Sequence, residues 1–297
     1  MRLFFEWEQA FLLNILAAHR RTLTAFFTDL TYLDVGYRFQ RGQPLPELAL
    51  RIHVRRKLAL AELAPFQILP RQIAGVAVDV LQSNPVLQRA VAERDQRFDP
   101  VLGGVAVANP KLKGLGTLGA VVLDRTTTAP LGISAYHVLV GDAGQTGDQI
   151  VQPARSEGSA VIGNLLRWSK ETDCAVFQFN HSRAISRLIL GIPQFPRFYK
   201  DPLVGMAVTK SGRTTGVTYG IIDGVNQEGF TIIPDPQHPA PDGEISSPGD
   251  SGAIWLESAS GAAVGLHVAG ESDPDPAAER AWAKRINKVL DVLNVSF

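Results

Sequence analysis

The chain has 297 residues, 45% of them hydrophobic and 20% charged, with 29 Lys plus Arg against 29 Asp plus Glu. That length predicts two units, since single cores seldom grow past about 250 residues, and the composition excludes a long disordered or collagen-like tract. The balanced charge leaves no net field to draw the chain onto nucleic acid or an anionic membrane, and no run approaches the ~18 apolar residues of a spanning helix.

A single cysteine, Cys174, excludes an intrachain disulfide and a cysteine-based zinc site, and it reads as a small buried hydrophobe. Glu6 and Glu8 precede the apolar stretch Phe11 to Ala18, where a signal peptide carries positive charge, so a cytoplasmic protein is expected.

In chain order, Phe4 to about Leu30 lacks Gly and Pro and is rich in Ala and Leu, which predicts a helix. Val35 to Phe39 and Leu48 to Val54 read as a hairpin around Gly42 and Pro44. Leu58 to Ala64 is helix-prone, Ile73 to Leu81 alternates as a strand, and Val86 to Asp95 suits a polar helix. Residues 1–96 thus form a small α+β unit, and the boundary falls ahead of the glycine pair Gly103 and Gly104.

Beyond it, in residues 97–297, short β-type runs are divided by Gly, Pro and Asp: 119–123, 132–135, 160–165, 175–179, 207–210, 216–222, 230–233, 253–256 and 263–268. So many short strands predict a sandwich or barrel. Helical spacing returns only at Trp282 to Leu293.

Three segments carry chemistry. Ser247-Pro248-Gly249-Asp250-Ser251-Gly252-Ala253 places a serine between glycines that let the backbone turn tightly enough for the N–H groups of Gly249 and Ser251 to converge on one point. The same residues also suit an ordinary β-turn. A serine hydroxyl needs a base and an orienting acid to act as a nucleophile at neutral pH. His137, in Gly132-Ile133-Ser134-Ala135-Tyr136-His137-Val138-Leu139, and Asp173, in Thr172-Asp173-Cys174-Ala175-Val176-Phe177, are the candidates.

The Gly-Asp-Ser-Gly loop, the strand-then-histidine segment and the order His137, Asp173, Ser251 resemble the trypsin-like serine proteases of the chymotrypsin fold. A nucleophile elbow of the α/β-hydrolase kind fails, because Ala253 stands where its second glycine belongs and a strand follows. The resemblance extends to Lys210-Ser211-Gly212-Arg213-Thr214-Thr215-Gly216, which is similar to a segment of many bacterial members and reads as structural, and to Ala263 to Gly270. Residues Val35 to Leu81 are similar to the small domain that precedes the catalytic domain in some bacterial and plant members.

The resemblance implies a mainly β protein, a double β-barrel preceded by a small α+β domain. It implies peptide-bond hydrolysis through an acyl-enzyme, with no metal or cofactor, on a protein or peptide substrate. A catalytically silent peptide-binding module or a latent protease is the alternative, and a regulatory partner or homo-oligomer is compatible with either. Val264 to Gly270 corresponds to the strand that lines the specificity pocket and pairs with substrate. His267, Ser246 and Gly270 are therefore expected to bind substrate, with His267 suggesting Glu or Gln before the cut. The position that carries trypsin's pocket acid falls on Ile245, with Glu244 adjacent. Asp250 takes the place of the aspartate that pairs with trypsin's freed N-terminus, and cleavage near Arg97 would free Phe98 for that role.

Overall fold

The computed structural model describes residues 2–26, 30–58, 63, 68–83, 85–86, 94–154, 158–271 and 279–297. It is mostly strand, as the short apolar runs predict. One six-stranded antiparallel sheet joins Gln149–Gln152, Ala160–Ser169, Cys174–Phe179, Pro130–Ser134, Ala120–Asp124 and the C-terminal Val295–Ser296. Its interior is filled by Val105, Leu118, Val121, Ile162, Leu165 and Phe177, all buried.

A second sheet runs Ala207–Gly212, Ile254–Glu257, Ala263–Glu271, Ala281–Arg285, Gly229–Pro234 and Gly216–Val225, and the last of these pairs back onto the first, which closes a barrel. Phe230, Ile232, Trp255 and Val264 fill it. A third cluster sits between the two units: Ile133 and Val122 from one side, Ile254, Leu256 and Leu266 from the other. Each such side chain fully buried contributes about 1.5–3 kcal/mol. The helix Ile286–Val292 adds Ile286, Val289 and Leu290 to that seam.

The C-terminal helix is shorter than the spacing suggested. Trp282 to Arg285 is strand, because Ala283 pairs with both Phe230 and His267 across a fully formed sheet, and pairing overrides local periodicity there. At the other end the helix Glu6–Phe26 stops before Leu30, which already pairs with Val54. The hairpin Leu30–Gln40 and Gln43–Val54 turns at Arg41 and Gly42, both at positive φ. Val76–Gln82 lies parallel to the hairpin's second strand.

This N-terminal unit is continuous with the second barrel, since Val35 and Gly36 pair with Val225 and Gly224. Val86, read as the start of a polar helix, belongs instead to a two-residue strand, Pro85–Val86, antiparallel to Glu271 and Gly270. Most of the helix-prone stretch 58–64 and residues 87–93 of the expected polar helix lie outside the described residues.

A buried ionic cluster fixes the hairpin to the barrel. Arg51 donates from Nε and a terminal nitrogen to the two Asp34 oxygens at 2.7 and 2.6 Å, and from its other nitrogen to Asp223 at 2.7 Å. Arg280 donates to the same Asp223 oxygen at 2.9 Å. All three hairpin and barrel partners of this set, Asp34, Arg51 and Asp223, are fully buried. Gly224 is required here, because a Cβ would lie 1.8 Å from the Arg51 guanidinium.

Candidate active site

The strands Pro130–Ser134 and Cys174–Phe179 are paired, with Ser134 opposite Ala175, so the residues just beyond one end and just before the other are neighbours. His137 begins after that strand in the short helix Tyr136–Leu139, and Asp173 closes a turn at φ +49° before its own strand. Their side chains meet: His137 Nδ1 lies 2.8 Å from Asp173 Oδ2 and 3.0 Å from Oδ1. The His137 backbone N–H also donates to Asp173 Oδ1 at 3.1 Å, which locks the carboxylate against the imidazole edge. Such contacts fix the tautomer with the proton on Nδ1 and leave Nε2 as the acceptor.

The serine loop, residues 247–253, comes from the second barrel and docks on the first. The Thr117 N–H donates to the Ser251 carbonyl at 2.9 Å, and the Thr117 hydroxyl donates to the Gly249 carbonyl at 2.8 Å. At Gly252, with φ +97°, a Cβ would stand 2.3 Å from Ser134 Oγ, so only glycine lets the loop approach the histidine segment this closely. At Gly116 a Cβ would meet Val138 at 2.5 Å and the Ser251 carbonyl at 2.7 Å, which marks the point where loop and histidine helix touch. The Ser251 hydroxyl, almost fully buried, donates to the Val268 carbonyl at 3.4 Å rather than to His137. That bond is at the long limit and is easily exchanged.

The Thr214 hydroxyl draws the Pro248 carbonyl to itself at 2.7 Å. In a planar trans peptide the N–H points opposite to the C=O, so the Gly249 N–H is directed to the other face of the loop. Gly249 itself has φ +103°.

Asp250 shapes the loop from beneath. It is fully buried, with Lys210 Nζ at 2.8 Å and the Thr215 hydroxyl at 2.5 Å on Oδ2. The N–H groups of Thr214 and Thr215 donate to Oδ1 at 2.9 and 3.2 Å, and that of Ser247 donates to Oδ2 at 3.2 Å. Burial alone would raise its pKa, but the Lys210 ammonium and these donors outweigh it and hold the carboxyl at about 2. Burial pushes Lys210 down, against the pull of Asp250. The Lys210 to Gly216 segment, which reads as structural in the sequence, is thus the cradle of the serine loop. A freed N-terminus at Phe98 has no vacancy to fill, since Lys210 already neutralises Asp250 and the Phe98 N–H donates to Gln152.

The expected pocket residues divide. His267 lies in the strand Ala263–Glu271 with 1% of its surface exposed, and its Nδ1 accepts from Trp255 Nε1 at 3.4 Å. Burial, then the Lys210 charge, push it down to about 3, so the ring is neutral. Ser246 is fully buried, and its hydroxyl has no hydrogen-bond partner among the described residues. Gly270 is paired with Val86.

One residue was missed by sequence reasoning. Glu279 is buried and accepts the N–H groups of Ile245 and Ser246 on Oε1 at 3.2 and 3.3 Å, while no donor among the described residues is assigned to its Oε2. Burial and the neighbouring Glu244 carboxyl raise it to about 8, and Glu244 is raised as well. Only the adjacency of Glu244 to Ile245 hinted that an acid belonged there. Cys174 is buried with its thiol pushed up to about 12, chiefly by burial, which fits an inert core residue.

No group of three or more potential metal ligands and no helix long and apolar enough to cross a membrane occurs among the described residues. No family model and no curated protein matches the sequence. Among solved structures, Thermobifida fusca protease A aligns at 18% identity over 66% of this chain and 97% of its own, with a TM-score of 0.49. A glutamic acid specific serine protease that uses a histidine triad in substrate binding aligns at 21% identity over 66% and 99%, with a TM-score of 0.50. Cellulomonas bogoriensis chymotrypsin aligns at 19% over 67% and 98%, with a TM-score of 0.48. With the mostly β architecture and the closed six-stranded barrel described above, the likeness at a TM-score of 0.50 gives the chain a chymotrypsin-like fold.

Proposed function

We propose that the chain is a serine endopeptidase working through an acyl-enzyme. The observation that carries this reading is the 2.8 Å contact between His137 Nδ1 and Asp173, beside a Gly-Asp-Ser-Gly loop docked on the same segment. Ser251 Oγ attacks the scissile carbonyl while His137 Nε2 takes its proton. Asp173 holds the ring and stabilises the imidazolium. The Gly249 and Ser251 N–H groups receive the oxyanion, a contribution of about 3 kcal/mol for each donor. His137 then protonates the leaving amine, and a water deprotonated by the same nitrogen releases the acid product.

The test is labelling with a fluorophosphonate probe read by intact mass. Wild type gains one probe on Ser251 and Ser251→Ala gains none, with peptide hydrolysis falling by about 10⁵-fold or more in the variant. If the wild type does not react, a latent protease or a peptide-binding module is the better description.

For the residue before the cut we favour Gln among the expected Glu and Gln. The groups expected at the pocket are a neutral His267, a Ser246 hydroxyl without a partner among the described residues, and the Glu279 carboxyl, protonated near neutral pH. An amide can donate to one and accept from another, whereas a substrate carboxylate adds a third acid beside Glu244 and Glu279. The Glu-specific neighbour binds substrate through a histidine triad, and here the ring beside His267 is Trp255. A peptide library at pH 7 should give Gln over Glu by about tenfold or more. A preference for Arg or Lys would mean that the two carboxyls ionise around a cation and would overturn the His267 reading.

A further inference from the structure

The helix Glu6–Phe26 is held to the molecule along one stripe. Gln9, Leu16 and Leu23 are buried, and the Gln9 side chain donates to the Pro202 carbonyl and accepts the Val204 N–H, both at 3.1 Å. With about 100° of turn per residue, Trp7, Asn14, Ala18 and Ala25 lie on the opposite side of the helix from that stripe. All four are exposed, as are Phe11 and Arg21 beside them. Trp7 shows 71% of its surface and Phe11 60%, with Phe5, 64% exposed, just ahead of the helix. The outer face of a surface helix is ordinarily polar, so aromatic side chains gathered there mark a contact surface.

Trp7, Phe11, Asn14, Ala18, Arg21 and Ala25 recur at alternating steps of four and three, the spacing of a seam that packs on another helix. The first half of the seam is bulky and begins beside Glu6, whereas the second half is small, with Ala17 and Ala18, and carries Arg20 and Arg21. The side chains of Glu6, Asn14, Arg20 and Arg21 have no hydrogen bond or ion pair among the described residues. The two halves complement each other in size and in charge, and two copies of the helix running antiparallel bring them together. With a two-fold axis at Asn14, Trp7 faces Arg21, Phe11 faces Ala17, and Glu6 lies one position from the residue facing Arg21. Arg21 then covers the Trp7 ring and reaches the Glu6 carboxylate, Phe11 fills the space over an alanine, and the helix dipoles are opposed. Asn14 meets its own copy, and a lone polar residue in such a seam fixes the register. A parallel pair would instead stack Trp7 on Trp7 and set Arg21 against Arg21. Phe5, Trp7 and Phe11 alone expose about 400 Å² per copy, half of the ~800 Å² that each partner buries in a stable interface.

We propose that the outer face of Glu6–Phe26 is a homodimer interface, through which two copies of this chain pair as antiparallel helices about a two-fold axis at Asn14. The anchoring of Gln9, Leu16 and Leu23 holds each helix in place before the copies meet, so little ordering is left for association to impose. The interface is independent of the protease reading.

Sedimentation equilibrium of the full chain should show a dimer with a dissociation constant in the micromolar range or tighter. Glu6→Arg and Arg21→Glu, both at exposed positions, should each weaken self-association by about tenfold or more. An equimolar mixture of the two variants should recover the dimer, because each then supplies the charge that the other lacks. Mild oxidation reads the direction of pairing. Asn14→Cys should link to its own copy, whereas Ala25→Cys, roughly 30 Å from its copy along an antiparallel seam, should not, and the native Cys174 is buried and takes no part. A chain that is monomeric at about 100 µM, variants that associate as wild type does, or linking at Ala25→Cys as readily as at Asn14→Cys overturns the proposal. A monomer that floats with phosphatidylserine vesicles overturns it as well and makes the aromatic face a membrane contact.

Discussion

At Asp250 a single buried carboxylate organises the serine loop, and all its partners but the Ser247 N–H come from a segment about forty residues earlier in the chain. Lys210 is the only cation within salt-bridge distance of it among the described residues, and both side chains are fully buried. Removing one member of such a pair leaves an uncompensated charge, which costs about 3–5 kcal/mol. Lys210→Met should lose stability of that order in urea titration and should slow probe labelling of Ser251, because the loop's N–H groups lose their anchor. Lys210→Arg should recover most of both. A Lys210→Met protein that labels at the wild-type rate would mean that the three backbone donors suffice. The contact of His137 with Asp173 was legible because a post-strand histidine and a pre-strand aspartate each have a local signature, as does the glycine-bracketed Ser251 of the proposed triad. Lys210 and Glu279 had none: an ion pair or an N–H acceptor across the fold is specified by three-dimensional proximity, to which sequence spacing is blind.

Between elements, the same limit explains what was and was not foreseen. The short strands of the two barrels were visible as apolar runs between turn residues. Trp282 to Arg285 was not, because a strand paired on both sides by Phe230 and His267 has no need of alternation. Nor did any pattern announce that the hairpin Leu30–Val54 would continue the barrel sheet. That junction depends on Gly36 and Gly224, where the backbones approach so closely that Arg51 and Asp223 fill the space of a side chain. Arg51 there compensates both Asp34 and Asp223. Arg51→Met should cost about 3–5 kcal/mol and should expose the hairpin to limited proteolysis. An unchanged urea midpoint would show that Arg280, 2.9 Å from Asp223, and His53, 3.3 Å from Asp34, hold the two aspartates without it.

Across the whole molecule these buried acids set opposing slopes of stability against pH. Asp34 and Asp250 are each held at about 2, and Asp223 lower still, by cations that outweigh burial. With a folded value below the unfolded one, the unfolded chain takes up protons first as pH falls. The stabilisation is therefore complete above about pH 5 and is lost between roughly pH 4 and 2, at about 2 kcal/mol each for Asp34 and Asp250. Glu279 acts the other way. Its value is raised to about 8 from 4.5, so between those limits the unfolded chain has released a proton that the folded one retains, and stability falls as pH rises. The two effects together place the maximum near pH 5. Thermal melts of Ser251→Ala, which lacks the proposed nucleophile, should show that maximum. Glu279→Gln should remove the decline on the alkaline side, gaining about 1–3 kcal/mol at pH 8, while leaving the acid limb unchanged. A variant whose alkaline limb still falls would place the proton on Glu244 rather than Glu279, and with it the donor that the favoured Gln substrate meets.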